Sequence, residues 1–373
     1  MRIIHMSDTH LGFHQLHRVN HAGRNQREQD VYDAFDQAIT KTIELTPDAV
    51  VHSGDLFDSY HPSSAALRIA LDGLRRLREA DIPVVVIAGN HSTPRVAAAE
   101  HVFGVLERFG GVHVVYDCAR EVRIGGLAIH AVAHDNDSHK LSKTLCEARP
   151  APDADFNVLL AHVGLDGLGS VVGSESSSVP LSAEALSGTG EFDYVALGHL
   201  HKFAPASNNA AYAGSLERLS WADDAPAKGV VEINLAAGRF SRDYLRLHEI
   251  ETRPRILLDH VDAAATEDLT AAIISRTQDV ELQRAMVRLT VRNVSVADWN
   301  AVDHKAIADT YKPCLHFECE PQMIGGQANN STPLELREFL VNWPGAQATG
   351  IDTEEFIARA EAFLARADQE IAA

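Results

Sequence analysis

Cysteine is scarce in this chain. Four are present in 373 residues, Cys118, Cys146, Cys314 and Cys319, and no two form a CxxC pair. That spacing argues against a zinc knuckle or a disulfide framework and for reduced thiols, the pattern of a cytoplasmic protein. Long apolar runs are missing too, and none approaches the roughly 20 residues of a membrane span. The opening "MRIIHMSDTHLG" has too short an apolar stretch for a signal peptide, because it meets Asp8 and His10 before any cleavage-like site. Positive charge is the third shortage: 33 Lys and Arg stand against 52 Asp and Glu, a formal net charge of −19. Such a surface repels nucleic acid at long range, and no basic stripe relieves it. Contact with DNA would therefore need local chemistry, bound cations or a partner. Internal repeats and low-complexity tracts are absent as well. Histidine is plentiful, with twenty in the chain, and its placement carries the argument.

At this length the chain exceeds one typical domain. Its first two thirds alternate apolar, β-rich runs with helical patterns. "RIIHMSD", "DAVVHSGD" and "IPVVVIAGNH" read as strands. "EQDVYDAFDQAITKTIEL", "SAALRIALDGLRRLREA" and the stretch around "RVAAAEHVFGVLERFG" read as helices. Leu67, Leu71, Leu74 and Leu77 recur at helical spacing and mark a core face. Later strands are expected in "VHVVYD", "LAIHAVAH", "FNVLLAHVG", "YVALGHLH", "AAYAGSL" and "GVVEINL". Strand and helix at this spacing predict an α/β layer with helix-covered sheets over residues 1–250. From 254 to 325 a small α+β unit follows, strand-like in "RILLDHV", "AMVRLTVRNV" and "CLHFECE". Residues 332–373 read as a helical tail, with an amphipathic stripe of Phe356, Ile357, Phe363 and Leu364.

Each early strand ends on a metal-competent side chain. The first runs into Asp8 and His10, the second into Asp55, the third into Asn90 and His91. "NVLLAH" delivers His162, and "YVALGHLH" delivers His199 and His201. The carboxyl edge of the strands is where α/β sheets place their sites. Any one of these residues has an ordinary explanation as a cap, a turn residue or a polar tip. Their recurrence at five strand ends does not. Carboxylate, imidazole and amide oxygen without thiolate suit manganese, iron or zinc in an open site. Seven donors (Asp8, His10, Asp55, Asn90, His162, His199, His201) are too many for one ion and right for two, with one carboxylate bridging. Two cations about 3.5–4 Å apart can clamp a phosphate and neutralise the charge of in-line displacement. His91, directly after Asn90, is then available to protonate a leaving oxygen, a task suited to imidazole; the alternative is a further metal-bound histidine.

With "DTH…GDLFD…GNH…AH…GHLH" in order, the chain resembles the calcineurin-like metallophosphoesterases. Within them it is most similar to SbcD-type DNA repair exonucleases, through "MRIIHMSDTHLG", "RNQREQDVYDAF", "SGDLFDSYHPS" and "YAGSLER". The resemblance implies a four-layered α/β/β/α nuclease domain, a capping domain at 254–325 and a tail bound to an SbcC-type SMC-like ATPase. It implies two manganese ions, the first held by Asp8, His10, Asp55 and His201. The second would be held by Asp55, Asn90, His162 and His199, with His91 as the catalytic histidine. It further implies a homodimer through the helices near Glu28–Leu45 and Ser63–Glu79, acting on DNA as exonuclease and structure-dependent endonuclease, with no membrane role. One departure stands out: Ser92 follows "GNH" where the family usually carries an acidic residue. What orients His91 is then a question for the tertiary structure. A phosphatase or small-nucleotide phosphodiesterase is the alternative activity, and a ligand-poor scaffold fits less well because all seven donors are present.

Overall fold

The runs AVVH and VVVI are buried at every position. Only a strand covered on both faces tolerates such continuous apolarity, and these two lie at the centre of a largely parallel sheet. The computed structural model of the chain describes residues 1–94, 101–165, 189–223, 225, 227–239, 241–278 and 280–324. Its strands are β1 (Arg2–Met6), β2 (Ala49–His52), β3 (Val84–Ile87), β4 (Val112–Val115), β5 (Ala119–Ile124), β6 (Leu127–Val132), β7 (Phe156–His162), β8 (Tyr194–Gly198), β9 (Ala204–Pro205), β10 (Ala210–Tyr212), β11 (Gly229–Asn234) and β12 (Leu245–Glu249). The helices among them are α1 (Gln26–Leu45), α2 (Ser64–Glu79), α3 (Phe103–Phe109) and α4 (Ser138–Glu147).

Two six-stranded sheets result, ordered β12-β11-β1-β2-β3-β4 and β5-β6-β7-β8-β10-β9. β1 to β4 run parallel, as do β6, β7, β8 and β10, while the outer strands β5, β9, β11 and β12 pair antiparallel. Within each parallel set the carboxyl ends collect at one edge. The period of two sets the layers. Val158 and Leu160 of β7 join the core shared with the first sheet, whereas Leu159 and Ala161 point the opposite way, toward Leu141 and Leu145 of α4. On the other side α1 buries Val31, Ala34, Phe35, Ala38, Ile39 and Thr42, a helical stripe, and α2 buries Ala66, Ala70, Gly73, Leu74 and Leu77. The order of layers is thus α/β/β/α, as the sequence led us to expect. Asn25 and Ser63 cap the two helices through their side-chain oxygens.

Three differences have physical reasons. β5, "AREVRI", buries only Val122, so its charged face reads as surface, and the edge strand β12 has the same character. α3 is shorter than the stretch expected to be helical. It begins at Phe103, whose amide donates to the His101 ring, and it ends at Gly110 with φ of 76°. Residues 95–100 of that stretch lie outside the described residues.

The described residues divide into two compact units, Met1–Arg255 with Arg284–Met286, and Ile256–Gln283 with Val287–Ile324. In the second unit β13 (Arg255–Asp262), β14 (Met286–Val294) and β15 (His316–Met323) form a sheet in that order. It is accompanied by α5 (Leu269–Ser275), α6 (Val296–Ala301) and α7 (His304–Thr310), of which α6 was not anticipated. Tyr311 stacks on Phe317 and donates to the Ile273 carbonyl, tying α7 to α5. The tail at 332–373 lies outside the described residues. Among the described residues no helix is long and apolar enough to cross a membrane.

Candidate metal centre

The five strand ends meet. β1, β2 and β3 of the first sheet and β7 and β8 of the second bring their carboxyl termini together. All eight candidate residues lie there. Asp8, His10, Asp55, His162 and His199 are buried, while Asn90, His91 and His201 are partly exposed. Three overlapping groups offer one donor atom per residue within 4.8 Å of one another: Asp8, His10 and His201; His10, Asp55 and His91; Asp8, Asp55 and His162. Asp8, His10 and Asp55 are each in two of the three.

The backbone is strained where the site is built. Asp8, His10, Asp55 and His199 have φ of 49°, 51°, 50° and 104°, a region that side chains other than glycine rarely enter. Such strain persists only where the surroundings enforce it, and it turns each side chain out of the strand toward the shared edge. The neighbouring glycines make room. A Cβ on Gly89 would lie 2.2 Å from Asp55 Oδ1, and one on Gly54 (φ 98°) would lie 2.3 Å from His162 Nδ1. The "GD" and "GN" dipeptides are therefore a packing requirement as well as a pattern.

The donor atoms are arranged as acceptors. His162 Nδ1–H donates to the Ser53 carbonyl at 2.8 Å, so Nε2 is the nitrogen at which a cation would take the place of a proton. That nitrogen faces Asn90 Oδ1 at 2.8 Å and Asp55 Oδ2 at 3.2 Å. His199 Nδ1 lies 3.2 Å from the same Asn90 oxygen. Around the first sheet, His10 Nδ1–H donates to Asp58 Oδ1 at 3.0 Å, so His10 Nε2 turns to His201 Nε2 at 3.2 Å and to Asp55 Oδ2 at 3.9 Å. Asp8 accepts from the His199 amide at 3.0 Å and from Ser7 Oγ at 2.6 Å. Electron pairs converging this closely need positive charge between them, and hard or borderline cations supply it. The donor set, carboxylate, amide oxygen and neutral imidazole, fits two such ions.

The electrostatics carry the same message. Burial pulls the His162 imidazolium down, but the Asp55 and Asp8 charges outweigh it and lift the group to about 9. His10 is likewise raised against the pull of burial, by Asp58 and Asp55. For Asp55 burial works upward, yet His162, His91 and His10 hold it well below the usual carboxylate range. A negative potential large enough to protonate a buried imidazole is one that divalent cations would neutralise.

Two contributors escaped the sequence reading. Asp58 closes the "GDLFD" motif, three residues after Asp55. Its carboxylate fixes His10, and its main-chain carbonyl accepts His91 Nδ1–H at 2.9 Å. Ser53 fixes His162 through its carbonyl and His5 through its hydroxyl. Asp58 was legible as part of the motif, whereas a main-chain carbonyl leaves no mark on composition. The Asp58 carbonyl also answers the Ser92 question. Ser92 is fully buried, its hydroxyl has no partner among the described residues, and the orientation of His91 comes from Asp58.

Comparison with known proteins follows the geometry. The family model for calcineurin-like phosphoesterases matches residues 1–203. Curated relatives carry the name DNA double-strand break repair protein Mre11. The chain is 34% identical to the one from Sulfurisphaera tokodaii over 200 residues, 54% of this chain and 49% of the relative. It is 31% identical to that of Methanococcus maripaludis over 238 residues, 59% and 58% of the two chains. With that of Halobacterium salinarum it shares 32% identity over 296 residues, 78% of this chain and 70% of the relative. The chain therefore spans about half to seven tenths of the length of these relatives.

Proposed function

The chain belongs to the calcineurin-like phosphoesterases, in the branch of the Mre11 double-strand break repair proteins, and on that premise we propose that it is a manganese-dependent DNA nuclease. The observation that carries the reading is the approach of His162 Nε2 to Asn90 Oδ1 at 2.8 Å and to Asp55 Oδ2 at 3.2 Å, at a junction of two sheets. Asp8, His10, Asp55 and His201 would hold one ion; Asp55, Asn90, His162 and His199 would hold the other. Two divalent cations there would bind phosphodiester oxygens, lower the pKa of water and offset the charge of in-line displacement.

The protein's own groups do the rest. The Asp58 carbonyl keeps the proton on His91 Nδ1, so proton exchange with a leaving oxygen runs through Nε2. The His91 amide donates to Asp55 Oδ1 at 2.9 Å, which steadies the carboxylate assigned to bridge. Asp58 and the Ser53 carbonyl hold His10 and His162 in the tautomers that face the ions. The substrate is DNA, cut as exonuclease and structure-dependent endonuclease. Given the −19 charge, much of the DNA affinity would come from an SbcC-type SMC-like ATPase, with the capping unit at 254–325 touching the DNA. The tail at 332–373 is the element that would bind that partner, and two copies of the chain would pair through α1 and α2.

The same acidity favours one rival, a phosphatase or small-nucleotide phosphodiesterase. Assay of the manganese-loaded protein on linear duplex DNA and on p-nitrophenyl phosphate separates them. We expect duplex cleavage, abolished in Asp55→Asn together with a fall in bound manganese from two ions to one or none. Monoester hydrolysis without DNA cleavage would transfer the assignment to the rival.

A further inference from the structure

A buried lysine stands behind the candidate centre and takes no part in the metal or proton chemistry. We propose that Lys228 is a positioning residue for the ion assigned to Asp8, His10 and His201, holding the His201 loop through its main-chain carbonyl. The inference rests on the two-ion reading of the site.

His201 lies three residues beyond β8, outside any strand, so the sheet ladder does not place it. Its carbonyl is held instead. It accepts from Lys228 Nζ at 2.5 Å and from the Ser215 amide at 3.1 Å. Lys228 directly precedes β11, and β11 pairs antiparallel with β1 in the register His5 to Val231. The start of β11 therefore lies beside the end of β1, where Asp8 follows. Lys228 thus forms a strut from the first sheet to the His201 loop of the second.

All three ammonium protons have acceptors: the His201 carbonyl, Ser215 Oγ at 2.8 Å and Asp223 Oδ2 at 2.5 Å. Lys228 is 3% exposed and Asp223 is 7% exposed, so the pair is sealed from water. A positive charge beside two cations repels them, and Asp223 cancels that charge without removing the donor. Buried pairs of this kind add little to stability over apolar residues of the same volume. Their use here is geometric. Three fixed directions from one nitrogen lock the carbonyl, and with it the imidazole whose Nε2 lies 3.2 Å from His10 Nε2.

The test removes the pair together. Lys228→Met with Asp223→Leu leaves no buried charge unpaired, and Lys228→Met alone serves as the harsher variant. Calorimetric titration of the metal-free protein with manganese should show one of two ions weakened about 10–100-fold and the other unchanged, the loss usual for partners that orient a ligand. The manganese needed for half-maximal cleavage should rise by the same factor, with turnover recovering at saturating metal and the melting temperature of the metal-free double variant held. Unchanged binding of both ions would overturn the proposal. So would equal weakening of both alongside a fall in melting temperature, which marks a structural role. A parent protein that takes up no manganese overturns the two-ion reading, and this inference with it.

Discussion

Replacing Gly89 by alanine adds one methyl group at a place where the structure leaves no room for it. The new Cβ would lie 2.2 Å from Asp55 Oδ1 and 2.5 Å from the Asp55 amide nitrogen. Ordinary van der Waals contact requires the two to separate by about 1 Å more. Rotating the carboxylate cannot achieve this, because the amide nitrogen is also in the way and the strand end must shift. Asp55 would then lose register with the His91 amide, now at 2.9 Å, and with His162 Nε2, now at 3.2 Å. A misplacement of about 1 Å at a reacting centre can cost about 100-fold in rate. Overpacking of this kind also costs about 1–3 kcal/mol of stability. Gly190→Ala is the control, since a Cβ there meets no atom within 4 Å and its φ is ordinary. Elemental analysis of the purified variants, with turnover on duplex DNA, reads the outcome. We expect Gly89→Ala to lose metal and at least two orders of magnitude in rate. Two bound ions and parental turnover would refute the close-approach argument and the bridging role of Asp55 with it.

His91→Ala should leave metal content intact while turnover falls by about a hundredfold or more, because residue 91 reaches Asp55 through its main-chain amide, which alanine keeps. Loss of metal in that variant would place His91 among the ligands. Asp30 accepts hydrogen bonds from Arg27 at 2.7 Å and from Arg253; burial alone would raise its carboxyl, but these arginines lower it. Its contribution is therefore complete above the unfolded value of about 3.9 and is lost as pH falls through the depressed folded value. Asp30→Asn should cost about 3–5 kcal/mol near neutrality, and urea melts should show the gap from the parent narrowing in acid. A constant gap down to acid pH would remove Asp30 from the acid transition. Leu145→Ala, under the second sheet and fully buried, should cost about 2–5 kcal/mol by thermal melting without altering metal content. Metal loss there would mean that α4 shapes the site.

The sequence by itself determined which residues could form a centre and where along the chain they fall. Strand periodicity and the carboxyl-edge rule point to Asp8, His10, Asp55, Asn90, His162, His199 and His201 without any coordinates, because these signals are local. Pairing between distant strands is not local. That His162 meets Asn90, 72 positions away, and that His10 meets His201, 191 positions away, follow from the packing of the two sheets. The same holds for groups that act through the main chain. The Asp58 carbonyl orients His91, the Ser53 carbonyl sets the His162 tautomer, and the His201 carbonyl receives Lys228. Every residue carries such a carbonyl, so composition cannot mark the ones that matter; only the folded backbone aims them.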